Sequence, residues 1–127
     1  MTLRCLAALA LAALLAACAQ PPKAIGLMDI AERPAERALL AGLRAYDDAQ
    51  YLESEKQLRA ALQAGLASPR DRAAAHKHLA FIFCTSNRAK ECEAAFRAAK
   101  TDDPSFALSK SEAGHPLWGP VYRRVQP

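Results

Sequence analysis

Small side chains twelve residues apart, Gly42 with Ser54 and then Ala80 with Cys92, sit inside two stretches of helical spacing, and one pair follows the other after thirty-eight residues. Around the first pair Tyr46, Tyr51, Leu58, Ala61 and Leu62 recur at three- and four-residue intervals, interrupted near Asp47–Gln50. That pattern predicts two antiparallel helices, 35–49 and 51–64, stopping at Gly65. Ser68, Pro69 and Asp71 supply a cap, a first-turn proline and an acid at the third position, so a third helix starts there. It runs to Cys84 with Leu79, Ala80, Ile82 and Phe83 inward. After a turn at Thr85-Ser86-Asn87, a fourth helix turns Ala89, Cys92, Ala95, Phe96 and Ala99 inward and ends at Asp102-Asp103-Pro104. Where Gly42 meets Ser54 and Ala80 meets Cys92 the helices cross closely, and a larger side chain there would separate them.

The second stretch resembles the 34-residue tetratricopeptide pattern position by position. His76 stands at the usual Trp place, Leu79-Ala80 at the Leu-Gly pair and Phe83 at the Tyr. Asn87 takes the turn Gly, Phe96 and Ala99 the second-helix Phe and Ala, and Pro104 the closing Pro. The expected fold is all-α: two tetratricopeptide-like helical hairpins, an α-α superhelix over residues 34–104, closed by an irregular C-terminal cap over 105–127.

The first residues bear on location. Arg4 precedes a run of Leu and Ala from Leu6 to Leu15, and Leu15-Ala16-Ala17-Cys18 follows. A charged n-region, a short apolar core and small residues before the cut are a secretory signal, and the Cys after it resembles the bacterial lipoprotein signal. Residues 1–17 are read as that signal, Cys18 as the lipidated N-terminus and 18–33 as a tether, with one candidate docked patch at Ile25, Leu27 and Ile30. The run is short for ~30 Å of hydrocarbon. Ala19, rather than Asp, after the Cys points to the outer membrane, periplasmic face. A coil of ~15 residues spans roughly 20 Å, which keeps the domain near its membrane.

Once Cys5 leaves with the signal and Cys18 takes lipid, Cys84 and Cys92 remain in an oxidising compartment and read as a disulfide, with two buried free thiols as the alternative. One lies before the turn and the other after it on the facing helix. A nine-residue loop closed this way stabilises by roughly 2.6 kcal/mol.

Other chemistry finds little purchase. The formal net charge of +4 falls to +3 without Arg4 and is spread among acids, which excludes a nucleic-acid stripe. His76 and His78 are two positions apart on a helix and face different ways, so they form no metal template. Asp47-Asp48 and Asp102-Asp103 fall at helix ends, where Asp suits turns. The chain reads as a non-enzyme with no cofactor beyond the Cys18 lipid and no small-molecule substrate. Candidate partner-binding residues are Tyr46, His76 and Lys77, with Arg44, in a concave groove lined by the first helix of each hairpin, and Trp118 and Tyr122 in the tail. The tail carries the only Trp among two Gly and two Pro. It is read as a cap for the last hairpin or as a docking hook.

The lipobox, the repeat pair with Cys84 and Cys92, Asp103-Pro104-Ser105-Phe106-Ala107-Leu108 and His115-Pro116-Leu117-Trp118-Gly119-Pro120 together resemble the TssQ family of type VI secretion-associated lipoproteins. The resemblance implies an outer-membrane accessory that aids assembly or placement of the envelope-spanning complex of a contractile secretion machine, with an envelope protein as partner. It carries over no catalytic residue. The alternatives are a pilotin-like or outer-membrane assembly lipoprotein, and a structural protein associated with peptidoglycan.

Overall fold

The computed structural model describes Gly26, Met28, Asp29 and residues 33–127. The signal, Cys18 and the patch of Ile25, Leu27 and Ile30 lie outside the described residues. Six helices follow in order: α1 Pro34–Asp47, α2 Tyr51–Ala64, α3 Pro69–Thr85, α4 Ala89–Asp102, α5 Lys110–Ala113 and α6 Gly119–Arg124. The fold is all-α, and the first four helices pair as two antiparallel hairpins, α1 with α2 and α3 with α4. Among the described residues no helix is long and apolar enough to cross a membrane.

The repeat holds at backbone level with a register of thirty-eight residues. Ala49 and Asn87 occupy equivalent turn positions, and both adopt left-handed backbone at φ 58° and 62°. Each is followed by the same closing bond, Gln50 N–H to the Ala45 carbonyl at 2.7 Å and Arg88 N–H to the Phe83 carbonyl at 2.8 Å. The turn therefore needs a positive φ whatever residue fills it, and Asn tolerates that conformation better than Ala. Gly65 ends α2 in left-handed backbone at φ 89°. The Ser68 hydroxyl caps α3 by accepting from Asp71 N–H at 3.2 Å.

Small residues hold each hairpin together. The Ser54 hydroxyl donates to the Gly42 carbonyl at 2.8 Å, so the polar group fully buried at the first crossing is satisfied. At the second crossing Ala80 and Cys92 are both 0% exposed. Cys92 is bridged to Cys84 across the turn, with the Cα atoms 5.2 Å apart. Leu58, Ala61, Leu79, Phe83, Ala95 and Phe96 complete a continuous core.

One charged pair locks the second hairpin to the first, and one arginine holds the loop between them. Arg88, in the α3–α4 turn, grips Glu55 of α2 through both terminal guanidinium nitrogens, at 3.1 and 2.6 Å, and lies 4.4 Å over the Phe83 ring. Arg72 donates to Asp102 at 2.9 Å and to the Leu66 and Ala67 carbonyls at 2.9 and 3.1 Å. The loop between the hairpins is thus held from α3, and Leu66 is driven into the core at 3% exposure.

The tail departs from expectation. It is not irregular: Ser109 and Glu112 form a reciprocal capping box that nucleates α5, and Pro120 sits in the first turn of α6. A Cβ on Gly119 would collide with the Ala113 carbonyl oxygen, so the two short helices meet through glycine.

A Cβ on Gly42 would stand 2.8 Å from Leu58 Cγ and 3.1 Å from the Leu58 backbone nitrogen. Because backbone cannot step aside as a side chain can, Gly42→Ala is expected to destabilise by roughly 1–3 kcal/mol in denaturant unfolding; an unchanged midpoint would show that the hairpin opens freely. Intact protein should take up no alkylating agent at Cys84 and Cys92 until reduced, and two modified thiols without reductant would remove the bridge.

Candidate functional site

Two surfaces arise from the way the helices are layered. On one side α1 and α3 lie next to each other, and the tail returns across α3. On the other side α2 and α4 stand apart, leaving a furrow floored by α3.

Phe81 organises the first surface. Trp118 stacks on it with ring centres 4.2 Å apart and 24° between planes, and His115 stacks on the outer face of Trp118 at 3.4 Å. The indole N–H donates to the Glu112 carbonyl at 2.8 Å. Lys77, one turn before Phe81 on α3, donates to Glu112 Oε1 at 2.8 Å with its ammonium 5.7 Å over the Phe81 ring. Glu112 is the latch of this surface, since Oε1 takes Lys77 while Oε2 accepts the Ser109 N–H at 2.9 Å. Burial works against its ionisation, yet the Lys77 ammonium and the Ser109 amide hold the carboxyl below the usual range. Deeper in, Tyr122 meets Phe96 edge-on at 5.4 Å, and its hydroxyl accepts from Leu108 N–H at 3.1 Å.

These contacts redistribute the expected binding residues. Tyr46, Lys77 and Trp118 do gather around Phe81: Tyr46 is 6.4 Å from that ring and 5.1 Å from His78. Burial, then Tyr51, Asp47 and Glu112, raise the Tyr46 phenol, which stays neutral. His76 does not join them. It points into the furrow, because one residue along a helix is about 100° of rotation and Lys77 takes the other direction. Tyr122, read as a docking residue, is 8% exposed and belongs to the core, since its ring closes the gap between α4 and the tail. Arg44 is exposed on α1 and makes none of these contacts. The face of α3 that carries Lys77 and Phe81 is therefore covered by the chain's own C-terminus. Phe81 and Glu112 were not singled out from sequence; the signal for Phe81 was its spacing of four from Lys77 in an aromatic-rich turn.

The furrow has a volume of about 610 Å³ and an apolar floor of Leu62, Leu79, Phe83, Ala95 and Ala98. Arg59 and Glu91 stand toward one end, and His76 toward the other, 3.3 Å from Asp102. Burial pushes the His76 imidazole down, and Asp102, already engaged by Arg72, only partly offsets it. Burial likewise lowers His78, against the Ala74 carbonyl that its ring contacts at 2.8 Å. Among the described residues no group of three or more metal-binding side chains converges.

The pH dependence follows in sign. Two histidines depressed from 6.5 contribute stability that is complete above that pH and falls as the unfolded chain takes up protons below it. Glu112, depressed from 4.5, adds a contribution lost as pH falls through its folded value. The thermal midpoint is expected to drop as pH falls below 6.5 and again as it falls below 4.5, the second step with a change in Trp118 fluorescence. A midpoint flat across that range would overturn this account.

No protein-family model matches the chain, and no curated protein and no solved structure is significantly similar to it.

Proposed function

We propose that this chain is a lipid-anchored helical-repeat adaptor on the periplasmic face of the outer membrane, an accessory in assembling or placing a type VI secretion system. The observation that carries the reading is Leu15-Ala16-Ala17-Cys18 set about fifteen residues before a compact two-hairpin domain. An acylated Cys contributes roughly 0.8 kcal/mol per buried CH₂, so an anchor of several chains is effectively permanent. Fifteen residues of tether then confine the domain to the membrane surface.

What the domain offers there is a surface for protein. The α3 face on the α1 side is filled by Trp118 on Phe81 and by the Lys77–Glu112 pair. The apolar furrow between α2 and α4 is left open, and its occupant in this reading is an apolar stretch of an envelope-spanning secretion component. Alanines on the α4 wall let such a stretch come close.

Cys18→Ser should abolish function while leaving the thermal midpoint of the domain unchanged, and globomycin should make the precursor accumulate. Wild-type secretion and complex assembly in a clean deletion would remove the secretion role. A precursor indifferent to globomycin would remove the anchor.

A further inference from the structure

The thirty-eight-residue register exposes a difference between the hairpins. Arg37, Leu40, Ala41 and Arg44 of α1 stand where α3 has Ala75, His78, Leu79 and Ile82. In α3 these four meet the first hairpin: Ala75, Leu79 and Ile82 are buried, and His78 packs on Tyr46. In α1 all four are exposed, with Leu40 at 43%. This is the face on which a preceding hairpin would sit. Arg37 and Arg44 would then be buried without partners, since neither forms an ion pair among the described residues. Arg33, at the head of the same helix, makes only a 3.9 Å approach to Glu36.

A second copy fits no better. A two-fold pairing of this face would set each arginine row against its own copy, and like charges at an interface disfavour it. The remaining partner is a surface of negative charge. The chain upstream of α1 leads toward Cys18, about fifteen residues before Arg33, and on that path Met28 is 74% exposed.

We propose that this end face, Arg33, Arg37, Leu40 and Arg44, docks on the anionic lipid headgroups of the membrane that holds the anchor; the inference rests on the anchored-adaptor reading above. Arginine stems lie along apolar surface while their heads reach phosphate, and Leu40 enters the headgroup boundary. Each cation near an anionic leaflet is worth about a fivefold gain in partitioning, so three supply roughly two orders of magnitude. The array would stand on its first hairpin, with the tail-capped second hairpin at the far end.

The test uses the full lipidated chain anchored in vesicles that carry a headgroup quencher, made of phosphatidylcholine alone or with phosphatidylglycerol. A fluorophore is placed through Ala41→Cys on the end face or through Ala107→Cys on the tail. With phosphatidylglycerol the Ala41 label should be quenched several-fold more than the Ala107 label. That difference should vanish in phosphatidylcholine alone, in about 1 M salt where screening reaches ~3 Å, and in Arg37→Glu/Arg44→Glu. Equal quenching of the two labels in anionic vesicles overturns the proposal, as does self-quenching between labelled copies in detergent, which would assign the face to a second copy. Flotation of the same samples separates the two readings: a chain that does not float has lost the anchor, whereas one that floats without the difference has lost only the docking face.

Discussion

The stack of Trp118 on Phe81 is the contact on which the rest of this small array depends. Two helical hairpins cannot bury both of their outer faces, and stacked repeats ordinarily need a third unit to do so. Here a tail of about twenty residues takes that place. Trp118 covers Phe81 of α3, and Tyr122 covers Phe96 of α4, so one short segment closes both helices of the last hairpin. Aromatic pairs in such offset or edge geometries add about 0.5–1.5 kcal/mol each beyond the area they bury. Glu112 fixes the segment in position by three routes, its carboxylate to Lys77, its capping of α5 and its carbonyl to the indole.

Polar groups set the register between units while apolar ones supply the driving force. The bidentate Arg88–Glu55 pair ties the second turn to the first hairpin, and Arg72 ties the loop to the end of α4. Both pairs are partly shielded, with Glu55 and Asp102 side chains 15% and 22% exposed, so they are screened less than open surface pairs. Phe83 lies under both Arg88 and Arg59, at 4.4 and 5.2 Å, and serves the core with one face and the cations with the other.

Helices α1 to α4 were legible in the sequence to within one or two residues because periodicity, a Ser-Pro-x-Asp start and Gly65 all act locally. The crossings were legible for the same reason, since Gly42, Ser54, Ala80 and Cys92 are small where the repeat demands it. Partner geometry was not. His76 and Lys77 are neighbours in sequence yet face opposite surfaces, and only the packing of α2 against α3 decides which of them enters the furrow. Trp118 in a Gly/Pro frame looks alike whether it caps or hooks. What separates the two roles is Phe81, which the tail reaches across more than thirty intervening residues. The Ser109–Glu112 capping box was present in the sequence as a Ser followed three residues later by a Glu, but no apolar run follows it to mark a helix start.

The two ends of the array are finished by different means. At the C-terminal end the exposed aromatic faces of α3 and α4 must be covered, and the tail covers them. At the N-terminal end this face of α1 is exposed among the described residues, and positions that are Ala75, Leu79 and Ile82 in α3 become Arg37, Ala41 and Arg44, beside Leu40 in the place of His78. Substitution by charge solves the problem that packing solves at the other end, because a solvated guanidinium needs no neighbour and an isoleucine does. The furrow between α2 and α4 follows neither rule, since Leu62, Leu79 and Phe83 line a floor that the tail does not reach and that Arg59 flanks at one end.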